Sequence, residues 1–238
     1  TLTTVWLGAN DLLKYIFSAG TFGPTPTASL QADIQTTVQT LQAAGSQVVI
    51  ANLPNVLHTA LFIPIANLGP ALVGLGVPAA AALPFAGGVA AVNNLGPGSY
   101  VLFSALGPII AALPTGKPPV LTPGSQVVPA AFAAGFQAVN DAYNAAIATV
   151  ASATGAPLVD DRTALDQAAA QGVPVNPPKC CSSVFGGGLF SFDGIHPSNT
   201  GYAIIANLFI GAINAKWGTS IPPVNVQAVY ATDPYAPH

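Results

Sequence analysis

The chain has 238 residues, enough for a domain with a sizeable core, yet only five are Lys or Arg and eight are Asp or Glu. A formal net charge of −3 excludes nucleic acid as a partner, because nothing here could neutralise a row of phosphates. The uncharged stretch between Asp33 and Lys117 is broken by Pro54, Pro64, Pro70, Pro78 and Pro84, so no apolar run reaches the roughly 20 residues of a transmembrane span.

Residues 2–7, LTTVWL, are short, β-branched and aromatic, and they end at Gly8, which predicts a buried strand running into a turn. A loop rich in Gly and Pro follows to Thr27. Ser29 then reads as the cap of a helix through Ala44, with Leu30, Ile34, Val38 and Leu41 at helical spacing and Gly45 as its stop. QVVIANLP (47–54) is a second buried strand. Further on come a helix over 129–154, a strand at APLVD (156–160), a short helix over 163–171 and a last helix over 198–216. This alternation predicts one α/β domain over residues 1–238, a three-layer sandwich with a parallel sheet between helices. Residues 58–125, almost entirely Ala, Leu, Gly, Pro, Val and Ile, form an insertion in that pattern. Such a segment either packs as short helices on the domain or acts as a cap or lid over an apolar cleft, which its aliphatic side chains would line.

Two segments carry chemistry. WLGANDLL puts Gly8, Asn10 and Asp11 after the first strand, at the sheet end where open α/β folds bind ligands. FDGIHPSNTGY (192–202) places Asp193 and His196 in a tight loop ahead of the last helix, where a carboxylate can orient an imidazole and leave its other nitrogen free as a base. By itself, the second segment is also what a turn-forming Asp and a loop His before a proline look like. His58, after the second strand, reads as a rim residue. Gly186, Gly187 and Gly188 suit a tight surface turn or a close approach of backbone to ligand.

Together, GAND after one strand, ANLP at the next and DGIHPSNTGY before the final helix resemble the SGNH hydrolases, the GDSL esterase and lipase family, over nearly the whole chain. The resemblance implies an SGNH or flavodoxin-like fold and a carboxylic-ester hydrolase that needs no cofactor or metal. It assigns His196 as general base, Asp193 as the carboxylate of a Ser-His-Asp triad and Asn10 as the oxyanion-hole side chain, with Gly8 and Asp11 shaping the turn. One departure accompanies it. The family's nucleophilic Ser sits in a Gly-Asp-Ser block on an earlier strand, and a further oxyanion Gly sits in the next block; neither block is present. Ser99, Ser125, Ser182 and Ser183 lack the surroundings of a nucleophile. We therefore read the chain as the carboxyl-terminal part of a hydrolase, lacking the N-terminal strand that would cover the edge of residues 2–7. An associated N-terminal segment supplying the Ser is the expected partner, and an ester or lipid-like molecule the expected substrate. The alternative is a non-catalytic surface protein on a degenerate scaffold of this kind. The absent initiator Met, low charge and abundant Thr, Ala and Pro suit a processed protein that is secreted or on the cell surface. Cys180 and Cys181, the only cysteines, are adjacent and match no zinc or thioredoxin spacing.

Overall fold

A computed structural model describes residues 1–173 and 182–236; Cys180 and Cys181 lie outside the described residues. The first sheet is parallel, with β1 (Leu2–Val5), β2 (Gln47–Ala51) and β6 (Leu158–Val159) in the order β1-β2-β6. Leu2 aligns with Gln47 and Val5 with Ile50, while Ile50 and Ala51 on the other side of β2 align with Leu158 and Val159. All three expected strands are present in one parallel sheet, each shorter than its apolar run; β1 and β2 end early at their carboxyl ends, and β6 is trimmed at both.

The apolar sequence of β2 explains its central place. Val48 and Ile50 point into a core shared with α1 (Ala9–Phe17), α2 (Thr27–Ala43) and α6 (Ala130–Thr154), and Val49 and Ala51 point the opposite way, toward α8 (Asn199–Trp217). Period-two alternation thus feeds two helical layers from one strand. On the first face Leu30, Ile34 and Val38 of α2 meet Phe136, Tyr143 and Ile147 of α6, all buried. On the second, Ile213 of α8 packs with Val49 and Val159, and Leu208 and Phe209 extend this layer toward Trp6. α2 begins two residues before the expected cap Ser29, because the extended Pro26 sets the turn and its carbonyl accepts from the N–H groups of Ser29 and Leu30.

The insertion differs from the expected set of short helices and loops. It does contain α3 (Leu68–Gly74), α4 (Ala79–Val92) and α5 (Leu106–Ala112), but these pack on an antiparallel sheet of β3 (Phe62–Pro64), β4 (Tyr100–Leu102) and β5 (Val127–Val128). Leu68, Leu72, Val89, Val101, Ile109 and Val127 give this unit its own core. Two further helices, α7 (Asp161–Gln171) and α9 (Val226–Tyr230), flank α8 in sequence. No helix among the described residues is long and apolar enough to cross a membrane. In the parallel sheet β1 has β2 on one side and no strand on the other among the described residues, and Leu2 on that strand is 42% exposed.

Candidate active site

The carboxyl ends of β1, β2 and β6 are tied together by one residue. Asn52, directly after β2, accepts from the Arg162 N–H at 2.9 Å and donates from Nδ2 to Asp160 at 2.8 Å, while its carbonyl accepts from Trp6 Nε1 at 2.9 Å. The next residue is held as firmly: Leu53 N–H donates to Asn144 Oδ1 at 2.8 Å and its carbonyl accepts from Asn144 Nδ2 at 2.9 Å. These bonds fix where the chain leaves each strand, and hence where the three following segments stand relative to one another.

Gly8 caps α1 at a φ of 112°, and a Cβ there would lie 3.0 Å from Leu53 Cδ1, so the turn after β1 is open only to glycine. That turn delivers Asn10 in the first turn of α1, where it is exposed and without a hydrogen-bond partner among the described residues. Asp11 beside it accepts from the Thr25 hydroxyl and secures the following loop.

The loop of residues 189–198 closes on itself. Ser191 N–H donates to the His196 carbonyl at 2.8 Å, and Ser198 N–H donates to the Leu189 carbonyl at 2.9 Å. Ser198 also caps α8, accepting the Gly201 N–H at 3.1 Å and donating to the Gly188 carbonyl at 2.6 Å. Buried Asp233 anchors the same helix end by accepting both the N–H and the hydroxyl of Thr200, at 2.7 and 2.6 Å.

Within this loop His196 Nδ1 meets Asp193 Oδ2 at 2.6 Å. The other carboxylate oxygen accepts from the N–H groups of Ile195 and His196, each at 2.9 Å, and from the Ser191 hydroxyl at 2.8 Å. Partial burial pulls the Asp193 pKa upward, but the N–H groups of Ile195 and His196, the imidazole and the Ser191 hydroxyl outweigh it and hold the carboxyl well below the usual carboxylate range. An ionised carboxylate can only accept, so Nδ1 is the donor in this pair, and in the neutral ring the lone pair is on Nε2. The ring is largely exposed to solvent.

Asn10 and His196 line one cavity of about 310 Å³, together with Trp6, Leu13, Asp161 and Phe190 among others. The five residues singled out in the sequence therefore divide: Asn10, Asp193 and His196 converge at the carboxyl end of the sheet, while Gly8 and Asp11 hold the turn that carries Asn10. Sequence reasoning missed Ser191, Asn52 and Asp161. Ser191 had a local signal, two residues before Asp193; the other two act across more than a hundred residues of chain.

The cavity is not walled as expected. From 58–125 it takes Thr59 alone among the described residues. The insertion instead borders a second cleft of about 670 Å³, with Phe62, Pro70, Leu75 and Tyr100 on one side and Asp166 and Phe185 on another. The reason is topological: one face of β3 and β4, with Ile63 and Val101, packs on the insertion's own core, and the other, with Phe62 and Leu102, joins the core that holds Leu12 and Ile16 of α1, so neither face lines the cavity. His58 belongs to this second cleft, its Nδ1 paired with Asp166 at 2.7 Å and its Nε2 against Asn55 Nδ2 at 3.2 Å, so neither nitrogen is open. The insertion does reach the His196 loop through backbone. Leu61 N–H donates to the Gly194 carbonyl at 2.8 Å, and Gly194 has a φ of 76°, where a Cβ would lie 2.8 Å from Leu61 N.

Comparison with protein families places these features. The model of the GDSL-like lipase/acylhydrolase family matches residues 1–204, which takes in Asn10, Asp193 and His196. The chain belongs to that family. Membership makes it one of a group of ester hydrolases and agrees with the parallel sheet flanked by helices. Searches of curated proteins and of solved structures gave no match.

Proposed function

We propose that this chain carries the base, its orienting carboxylate and an oxyanion donor of a carboxylic-ester hydrolase, and that the nucleophilic Ser comes from residues upstream of Thr1. The observation that carries the reading is the 2.6 Å contact between His196 Nδ1 and an Asp193 carboxylate held ionised, at the cavity Asn10 also lines. The open edge of β1 supports the second half, because the unpaired edge of a parallel sheet is a place for one more strand.

In this scheme the Ser hydroxyl attacks the ester carbonyl while His196 Nε2 takes its proton. Asp193 stabilises the resulting imidazolium, and Asn10 donates to the oxyanion. The proton then passes from His196 to the leaving alcohol, and water, activated by the same nitrogen, hydrolyses the acyl-enzyme. Without the Ser no acyl-enzyme forms, so the chain by itself turns over no ester through the triad; loss of one triad member forfeits several orders of magnitude.

The test compares the chain alone with the chain joined to or mixed with its upstream segment, on a chromogenic ester, with His196→Ala as control. Activity only in the presence of the segment, and lost in His196→Ala, is the expected result. Full turnover by the chain alone that His196→Ala abolishes overturns the upstream Ser, and turnover indifferent to His196→Ala overturns the site.

A further inference from the structure

One polar group in the cavity has no part in the chemistry above. Asp161, the first residue of α7, is 4% exposed and lines the same space as Asn10 and His196. Its neighbours in sequence are engaged elsewhere. Asp160 caps α7, accepting the Thr163 N–H at 3.1 Å and Asn52 Nδ2 at 2.8 Å. Arg162 turns away to Asp166 at 2.9 Å, to Asp141 at 3.1 Å and to the Asn140 side-chain oxygen. Among the described residues, the Asp161 carboxyl has no hydrogen-bond or ion-pair partner. Around it the cavity is apolar, with Ala164, Leu165, Ala168, Leu189 and Ile205 contributing.

A buried carboxyl without a partner costs free energy that a bound group with the right chemistry recovers. Burial, reinforced by the neighbouring Asp160 charge, raises its pKa to about 7, so both protonation states are populated near neutrality. A hydroxyl suits both: it donates to the carboxylate or accepts from the carboxylic acid. An ammonium group would have to shed its water in an apolar space, and the desolvation offsets most of the attraction. The cavity's size, about 310 Å³, holds about ten water-sized groups at roughly 30 Å³ each, the span of a medium-length acyl chain.

We propose that Asp161 is a specificity-determining residue, which selects esters whose acyl chain carries a hydroxyl group along its length. The inference rests on the reading that this cavity receives the acyl part of the substrate, and it adds the group that the acyl chain must present. It concerns binding alone, so its test needs no turnover.

The probes are the methyl esters of octanoic, 3-hydroxyoctanoic and 8-hydroxyoctanoic acid, with binding to the chain followed by calorimetry and by the NMR shift of the Asp161 carboxyl carbon. At least one hydroxy ester should bind about tenfold more tightly than methyl octanoate, the worth of one buried hydrogen bond, and should move the carboxyl resonance. Asp161→Leu should erase that ratio while binding methyl octanoate at least as well; Asp161→Asn, which still donates and accepts, should retain most of it. Equal affinity for the three esters in the native chain, or an Asp161→Leu variant that weakens all three alike, overturns the proposal, as does an 8-ammonio-octanoate ester binding more tightly than both hydroxy esters. Discrimination in binding together with no hydrolysis in the presence of the upstream segment would sink the catalytic reading and leave this one standing. Hydrolysis with no discrimination does the reverse.

Discussion

Replacing Asp161 by Asn should stabilise the fold, by an amount that depends on pH. The carboxyl has an ordinary pKa of 3.8, which it keeps in the unfolded chain, and about 7 in the folded protein, with burial as the main cause and the Asp160 charge adding to it. Between these values the folded state binds the proton that the unfolded state has released, so stability falls as pH rises from 4 to 7 and levels off above that. At about 1.4 kcal/mol for each tenfold change in proton affinity, the difference between 3.8 and 7 amounts to on the order of 4 kcal/mol at pH 8. Asn has nearly the same shape and no charge to bury. Urea unfolding of both proteins at pH 4, 6 and 8 provides the measurement. Equal stability near pH 4 and a growing advantage for Asp161→Asn toward pH 8 is the expected pattern. A constant offset across this range, or an advantage confined to low pH, would refute the claim that an unpaired carboxyl is buried in the cavity.

Three further expectations concern the loop and the frame around it. Gly194→Ala forces a left-handed backbone on alanine and sets its Cβ 2.8 Å from Leu61 N, so it should cost on the order of 2 kcal/mol in thermal unfolding and displace the His196 loop. Ser191→Ala removes one hydroxyl that holds the Asp193 carboxylate ionised, and the NMR titration of that carboxyl should move upward in pH while the fold stays intact. In the presence of the upstream segment, Asn10→Ala should lower kcat on a chromogenic ester by about 100- to 1000-fold with little change in KM, as for loss of an oxyanion donor.

Much of the parallel sheet was legible because its signals are local. TTVW, VVIA and APLV are β-branched or apolar runs bounded by turns, and β2 in particular reads as buried on both faces because it is. Asp193 and His196 were legible for the same reason, since three residues separate them and the contact is made within one loop. The second sheet was not. Its strands are two or three residues long, FIP, YVL and VV, too short for a period-two pattern to show against a background of Ala, Leu and Pro, and they pair far along the chain, Phe62 with Leu102 and Tyr100 with Val128. Asn52 and Asp161 were hidden by a different effect. Each has an ordinary identity in its own segment, and only the meeting of strands separated by more than a hundred residues makes one a tie and the other an orphan.

The insertion illustrates why lack of charge is a poor guide to a cleft wall. An apolar segment needs an apolar partner, and the insertion finds much of it in itself, through a core of Leu68, Leu72, Val89, Val101 and Ile109. To the rest of the molecule it offers Phe62 and Leu102, which join the core of Leu12 and Ile16, together with backbone groups and rings. Leu61 N–H holds Gly194, the Leu61 carbonyl accepts from Phe103 N–H at 2.9 Å, and the Phe103 ring stacks on Phe185 with centroids 4.0 Å apart. Phe185 lies 6.2 Å from Phe192, which in turn meets Tyr235 edge-on at 4.9 Å, so a line of aromatic rings runs from the insertion past Asp193 to the carboxyl-terminal segment. A loop that must hold an imidazole against a carboxylate while leaving its far nitrogen open has little interior of its own to rely on. Its rigidity has to be borrowed from packed neighbours, and the insertion is one of them, through the Leu61 N–H on Gly194 and the Phe103 ring on Phe185.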